Sequence, residues 1–255
     1  MERMPTLFVG HGSPMNAIDN NAYTKKWEEL GRTLPRPKAI LAVSAHWFTQ
    51  GTRVTDAKAP KMVYDMYGFP QQLYEIVYAA PGDPALAHRV KRLIGDSVSV
   101  DNTWGIDHGT WSVLVKMFPE ANVPVLQLSI NRSAPLEEHY RIGDVLKPLR
   151  DSGVLIFGTG NIVHNLMRVN MYKKDGYPWA YEFDAFIKES ILAHDHENVI
   201  QYERAGSSAA YAFTYNDHYA PLLYALGASD KTDKITVFNN SSVLGSISMT
   251  GYVIG

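Results

Sequence analysis

The 255-residue chain is 45% hydrophobic and 20% charged, enough to bury a substantial core, and its length fits one α/β domain spanning residues 1–255. Its 24 Lys and Arg against 26 Asp and Glu leave a formal charge of −2, so no broad positive field recruits phosphate backbones and nucleic acid is not an expected partner. Cysteine is absent, which removes disulfides, thiolate metal sites and cysteine nucleophiles, and leaves His, Asp and Glu as the strong metal ligands.

The N-terminal stretch leads straight into the apolar Leu7-Phe8-Val9 with no basic n-region or cleavage signal. No apolar run approaches the roughly 20 residues of a spanning helix. A cytoplasmic location away from membranes is therefore the default expectation. Residues 6–9 read as a first strand, followed by a helical pattern over 22–30 and a second strand over 39–44. Residues 48–70, with Gly, Pro, Asp and Lys among aromatics, read as a surface excursion able to wall a pocket. Helical spacing returns over 84–94 and 110–118, a strand over 123–129, a helix over 136–149 and a strand over 154–158. A second excursion over 171–178 precedes helical patterns at 179–193 and 218–226 and a strand at 234–238. Residues 246–254 suggest an antiparallel edge strand. This alternation predicts an α/β fold with a central, mostly parallel sheet flanked by helices.

Histidines recur at the ends of the predicted strands. His11 follows Leu7-Phe8-Val9-Gly10, His46 follows Leu41-Ala42-Val43-Ser44-Ala45, and His164 comes shortly after Gly158-Thr159-Gly160-Asn161. In open parallel sheets the carboxyl ends of the strands share one rim, and ligands bind there. His108, between Asp107 and Gly109 just ahead of a predicted helix, and His218, after Asp217 at the opening of another, join the set. Each alone reads equally as a satisfied polar residue; their joint placement points to a metal site. His88, His139, His194 and His196 lie in or beside charged helical stretches and read as solvated, His194 and His196 at most as a surface metal pair.

A divalent ion held by neutral imidazoles, with positions left open, either activates water as zinc does or serves dioxygen chemistry as non-heme iron(II) does. Further histidines nearby would move protons, their pKa being about 6.5. The Gly158-Thr159-Gly160-Asn161 turn lacks the lysine of a phosphate loop. Ser13 lacks the elbow of a serine hydrolase.

Six segments in order carry a family resemblance: Gly10-His11-Gly12-Ser13-Pro14-Met15, Leu34-Pro35-Arg36-Pro37 running into Val43-Ser44-Ala45-His46-Trp47, Gly68-Phe69-Pro70, Trp104-Gly105-Ile106-Asp107-His108-Gly109, Gly160-Asn161-Ile162-Val163-His164-Asn165-Leu166, and His218-Tyr219 before Pro221-Leu222-Leu223-Tyr224. The chain resembles the class III extradiol ring-cleavage dioxygenases of the 4,5-DOPA dioxygenase extradiol type over nearly its whole length. The resemblance implies one divalent metal, Fe(II) for catalysis or Zn(II), held by His11, His46 and His218. It implies His164 as a fourth ligand or an acid/base group, and His108 facing substrate. It also implies a small aromatic diol and dioxygen as partners. Asp217 stands as an alternative ligand to His218, because Tyr215-Asn216-Asp217 departs from the family's usual Thr-Pro-Glu. A non-catalytic binding or regulatory member of the fold and a zinc hydrolase are the competing readings.

Overall fold

The computed structural model describes residues 3–255. The elements run β1 (Thr6–Gly10), α1 (Ala22–Thr33), β2 (Ala39–Thr49), β3 (Thr52–Val54), α2 (Gln71–Tyr74), α3 (Pro84–Ile94), β4 (Val98–Val100), α4 (His108–Met117), β5 (Val125–Asn131), α5 (Leu136–Leu146), β6 (Val154–Gly160), α6 (Pro178–Leu192), α7 (His196–Ile200), α8 (Ala209–Ala212), α9 (Ala220–Gly227), β7 (Ile235–Phe238), β8 (Ser242–Val243), β9 (Ile247–Ser248) and β10 (Gly251–Ile254). Sequence signals explain many boundaries. Asn21 closes a capping box with Thr24 at the start of α1, and Asp83 caps α3, whose first residue is Pro84.

Eight strands form one sheet in the order β4-β3-β5-β2-β6-β1-β10-β7. The centre, β5-β2-β6-β1, is parallel, as the alternating strand–helix pattern requires. Strands β1 and β6 are buried along their full length, because helices cover both faces and side chains alternate between two cores. Leu7, Val9, Ile40, Ala42 and Phe157 pack with Trp27 and Trp111 of α1 and α4 on one side. On the other, Leu41, Val43 and Ile156 meet Ile142 and Tyr224 of α5 and α9, while Phe8 and Tyr252 meet Phe183 of α6.

Two expectations need correction. The C-terminal strand is antiparallel but not an edge: β10 lies between β1 and β7, paired to both. Its burial there, Tyr252 and Ile254 included, is what its apolar residues satisfy. The excursion over 48–70 contains the end of β2 and all of β3, which pairs antiparallel with β5. No helix among the described residues is long and apolar enough to cross a membrane.

Candidate metal and active site

His11 is the first residue beyond β1, and its N–H donates to the Gly160 carbonyl at 3.0 Å, so the β1–β6 ladder itself places it. His46 sits inside β2 rather than after it. Pairing of β2 with β5 is regular to Val43 and resumes at Phe48, and the register shift between them turns His46 toward the rim. His218 precedes α9 by two residues instead of opening it. Its carbonyl accepts from the Asn161 N–H at 2.9 Å, and a Cβ on Gly160 would stand 2.1 Å from that carbonyl oxygen, so only glycine admits the approach.

These three side chains converge. The ring centroids of His11, His46 and His218 are 5.2, 5.3 and 5.2 Å apart, a near-equilateral triangle, and one ligand atom from each lies within 4.8 Å of the others. Each Nδ1 faces an oxygen. Thr159 donates its single hydroxyl hydrogen to the Gly109 carbonyl at 2.6 Å, so toward His11 Nδ1, 3.0 Å away, it accepts. His46 Nδ1 lies 2.9 Å from Asp65 Oδ2, and His218 Nδ1 lies 3.1 Å from Asp217 Oδ1. These contacts assign the Nδ1–H tautomer to all three rings and leave each Nε2 as a lone pair. The Nε2 atoms of His11 and His46 are only 3.3 Å apart. Two lone pairs at that distance need a proton or a cation between them, so the donor set fits a metal ion with carboxylate and hydroxyl support behind it.

The electrostatics agree. Burial, reinforced by the neighbouring imidazoles, drives His11 and His218 well below the usual histidine range. Burial acts in the same direction on His46, but the Asp65 hydrogen bond and the charges of Asp107 and Asp65 prevail and raise it. Burial resists ionisation of Asp65, yet the imidazoles of His108 and His46, with Nδ1 atoms 3.0 and 2.9 Å away, hold its carboxyl far below the ordinary range. Burial raises Asp217.

His164 and His108 flank the triangle. His164 follows β6 by four residues, held by its N–H to the Ala212 carbonyl at 2.8 Å, and its ring lies flat on that of His218, centroids 3.4 Å apart and planes 4° from parallel. It is outside the close ligand trio, and burial lowers its pKa to about 4. His108 is the first residue of α4, capped by Asp107, whose buried carboxylate also accepts from Ser44, Gln127 and Trp104. Its ring centroid is 3.9 Å from that of His46. Asp217 stands behind His218, accepting its backbone N–H at 2.7 Å, and is not one of the converging ligand atoms.

Of the histidines set aside, His88 is exposed as expected. His139 is not solvated: it is fully buried, its Nδ1 3.0 Å from the Tyr224 hydroxyl. His194 and His196 gather no third ligand among the described residues, and His196 Nδ1 is occupied by the Tyr140 hydroxyl at 2.9 Å. Asp65 and Thr159 are the participants that sequence reasoning missed. Thr159 lay in a turn scanned only for phosphate binding. Asp65 lay in an aromatic loop whose one signal was an acid among tyrosines. The excursion over 171–178 does border a cavity of about 560 Å³, with Met171, Tyr172 and Tyr177, but none of the site histidines lines it.

Residues 5–254 match the family described as the catalytic LigB subunit of aromatic ring-opening dioxygenase. The chain belongs to this family. A protein of Escherichia coli strain K12 named 4,5-DOPA dioxygenase extradiol is 45% identical, covering 99% of this chain and 95% of that one. A protein of Beta vulgaris with the same name is 37% identical over 97% and 95%. The crystal structure of an uncharacterized Escherichia coli K12 protein superposes with a TM-score of 0.87 at 41% identity, covering 99% of this chain and all of that one. The chain is accordingly an oxidoreductase of the ring-cleaving dioxygenase class, with the α/β architecture of its family.

Proposed function

We propose that the chain is one catalytic unit that opens the ring of a catechol of the DOPA type beside its two hydroxyls, using dioxygen and one divalent metal ion held by His11, His46 and His218. The observation that carries this reading is the triangle of imidazoles, each with Nδ1 backed by an oxygen and with the Nε2 atoms of His11 and His46 turned to each other. Three neutral nitrogen donors leave coordination positions free, as a reaction with two oxygen-bearing partners needs. A metal ion bound there would supply Lewis acidity and, as Fe(II), a route for electrons between the diol and dioxygen; Zn(II) fits the same nitrogens.

The rest belongs to the protein. His164, neutral at physiological pH and stacked on His218, is suited to accept a proton from a catechol hydroxyl and return it later in the reaction. Burial of the surrounding polar groups keeps bulk water from competing for those protons. His108, on a helix start fixed by Asp107, faces the site from the His46 side, where it would orient the substrate. The names of the two relatives support the DOPA-like substrate.

The experiment is oxygen uptake by anaerobically iron(II)-loaded protein given L-DOPA and a small panel of catechols, with the yellow ring-opened product followed by absorbance. Uptake matched to product ranks the substrates. Protein that demonstrably holds its iron and consumes no oxygen with any catechol would refute the proposal.

A further inference from the structure

Asp65 is an acid in a loop, yet its two oxygens reach two histidines with different tasks. Oδ2 lies 2.9 Å from His46 Nδ1. Oδ1 accepts the backbone N–H of His108 at 3.0 Å and lies 3.0 Å from His108 Nδ1, near enough for electrostatic attraction though off a hydrogen-bond line. The loop that carries it is fastened to the segment leading into α4. Val63 N–H donates to the Ile106 carbonyl at 2.8 Å, Ile106 N–H donates to the Lys61 carbonyl at 2.8 Å, and the Trp111 indole donates to the Val63 carbonyl at 3.0 Å. The carboxylate is thus anchored from the α4 side and mostly shielded, its side chain 15% exposed. His11 and His218 have separate acceptors, Thr159 and Asp217, so among these oxygens Asp65 alone faces two rings.

We propose that Asp65 is a positioning residue that sets His46 and His108 as one unit: it holds His46 with Nδ1 protonated and Nε2 toward the metal, and draws the His108 ring so that its Nε2 is the nitrogen left for substrate. The proposal rests on the metal-centre reading above. Its physical basis is that a carboxylate behind an imidazole fixes both ring orientation and tautomer, and that one carboxylate shared between two rings ties their orientations together. The orientation of a ligand and that of a substrate-facing group then depend on a single loop residue.

Histidine side-chain nitrogen NMR on metal-free protein at about pH 8, where neutral imidazoles prevail, reads the tautomers directly, and cobalt(II) titration followed by its visible absorption reads the metal site. In wild type, His46 shows a single Nδ1–H form. In Asp65→Ala, the resonances of His46 and His108 move toward tautomer mixtures while those of His11 and His218 keep their pattern, and cobalt affinity falls by about 10- to 100-fold. Unchanged tautomers at both His46 and His108, or unchanged affinity, overturn the proposal. Asp65→Asn, isosteric but with one acceptor oxygen for two rings, is expected to release at least one of them and carries the test should the alanine variant fail to fold. Wild-type protein that takes up no cobalt would instead sink the metal-centre reading, and the tautomer measurement would still decide the role of Asp65.

Discussion

At the scale of single residues, the site separates groups that would hold the ion from groups that hold the holders. His46→Ala removes an Nε2 from the triangle and should abolish most metal uptake with the fold retained, whereas His88→Ala, at an exposed position of α3, should change neither; elemental analysis after metal loading and circular dichroism check both. Thr159→Val is a finer probe. It keeps the shape but removes the oxygen that faces His11 Nδ1, along with the hydroxyl that donates to the Gly109 carbonyl. Metal affinity should drop by about 10-fold or more, and the buried His11 Nδ1–H left without its acceptor should cost about 1–3 kcal/mol in urea unfolding. A variant with wild-type affinity would mean that Thr159 only packs.

At the scale of elements, the site depends on how closely the start of α4 abuts the tip of β2. A Cβ on Gly109 would lie 2.7 Å from His46 Cδ2, 3.0 Å from Ser44 Oγ and 3.3 Å from His11 Cε1. Gly109→Ala should therefore displace two of the three imidazoles, lowering metal affinity more than it lowers the thermal midpoint. Equal metal affinity in the two proteins would show that the helix start can yield. The central strands and long helices were legible in the sequence because their apolar periods are sustained, and His11, His164 and His218 stood out beside glycine turns or helix starts. Other features were not legible, for reasons of physics. Strands β3 and β4 are three residues each, too short for a period. The place of β10 between β1 and β7 depends on partners more than 200 positions apart or beyond the segment that holds β8 and β9, which no local pattern encodes. His139 lies between Glu138 and Tyr140 and looks solvated by its neighbours, but the 3.6-residue period puts it in phase with Leu136, Ile142 and Leu146, all buried. Asp65 acquires its meaning only when the loop meets α4.

At the scale of the whole molecule, buried histidines couple stability to pH. Burial of His139 between α5 and α9 lowers its pKa to about 4, below the unfolded value of about 6.5. Between those values the unfolded chain binds the proton that the folded chain refuses, so the stability His139 allows is complete above about pH 6.5 and declines as pH falls toward 4. The contribution is up to about 1.4 kcal/mol per pH unit in that window. His139→Gln, which does not titrate, should show a shallower loss of urea midpoint from pH 6.5 to pH 4.5. Parallel loss in both proteins would mean that His139 titrates normally within the fold.

Strand β1, which delivers His11, is synthesised some 240 residues before one of its two neighbours, β10. Met249, which lies against the backbone at Gly10 and Gly12, arrives just as late. During translation the nascent chain therefore carries its first imidazole on a strand with one flank open, beside a cradle that still lacks a wall. On the proposed reading, an ion held by His11, His46 and His218 would therefore find its cradle complete only after the sheet has closed.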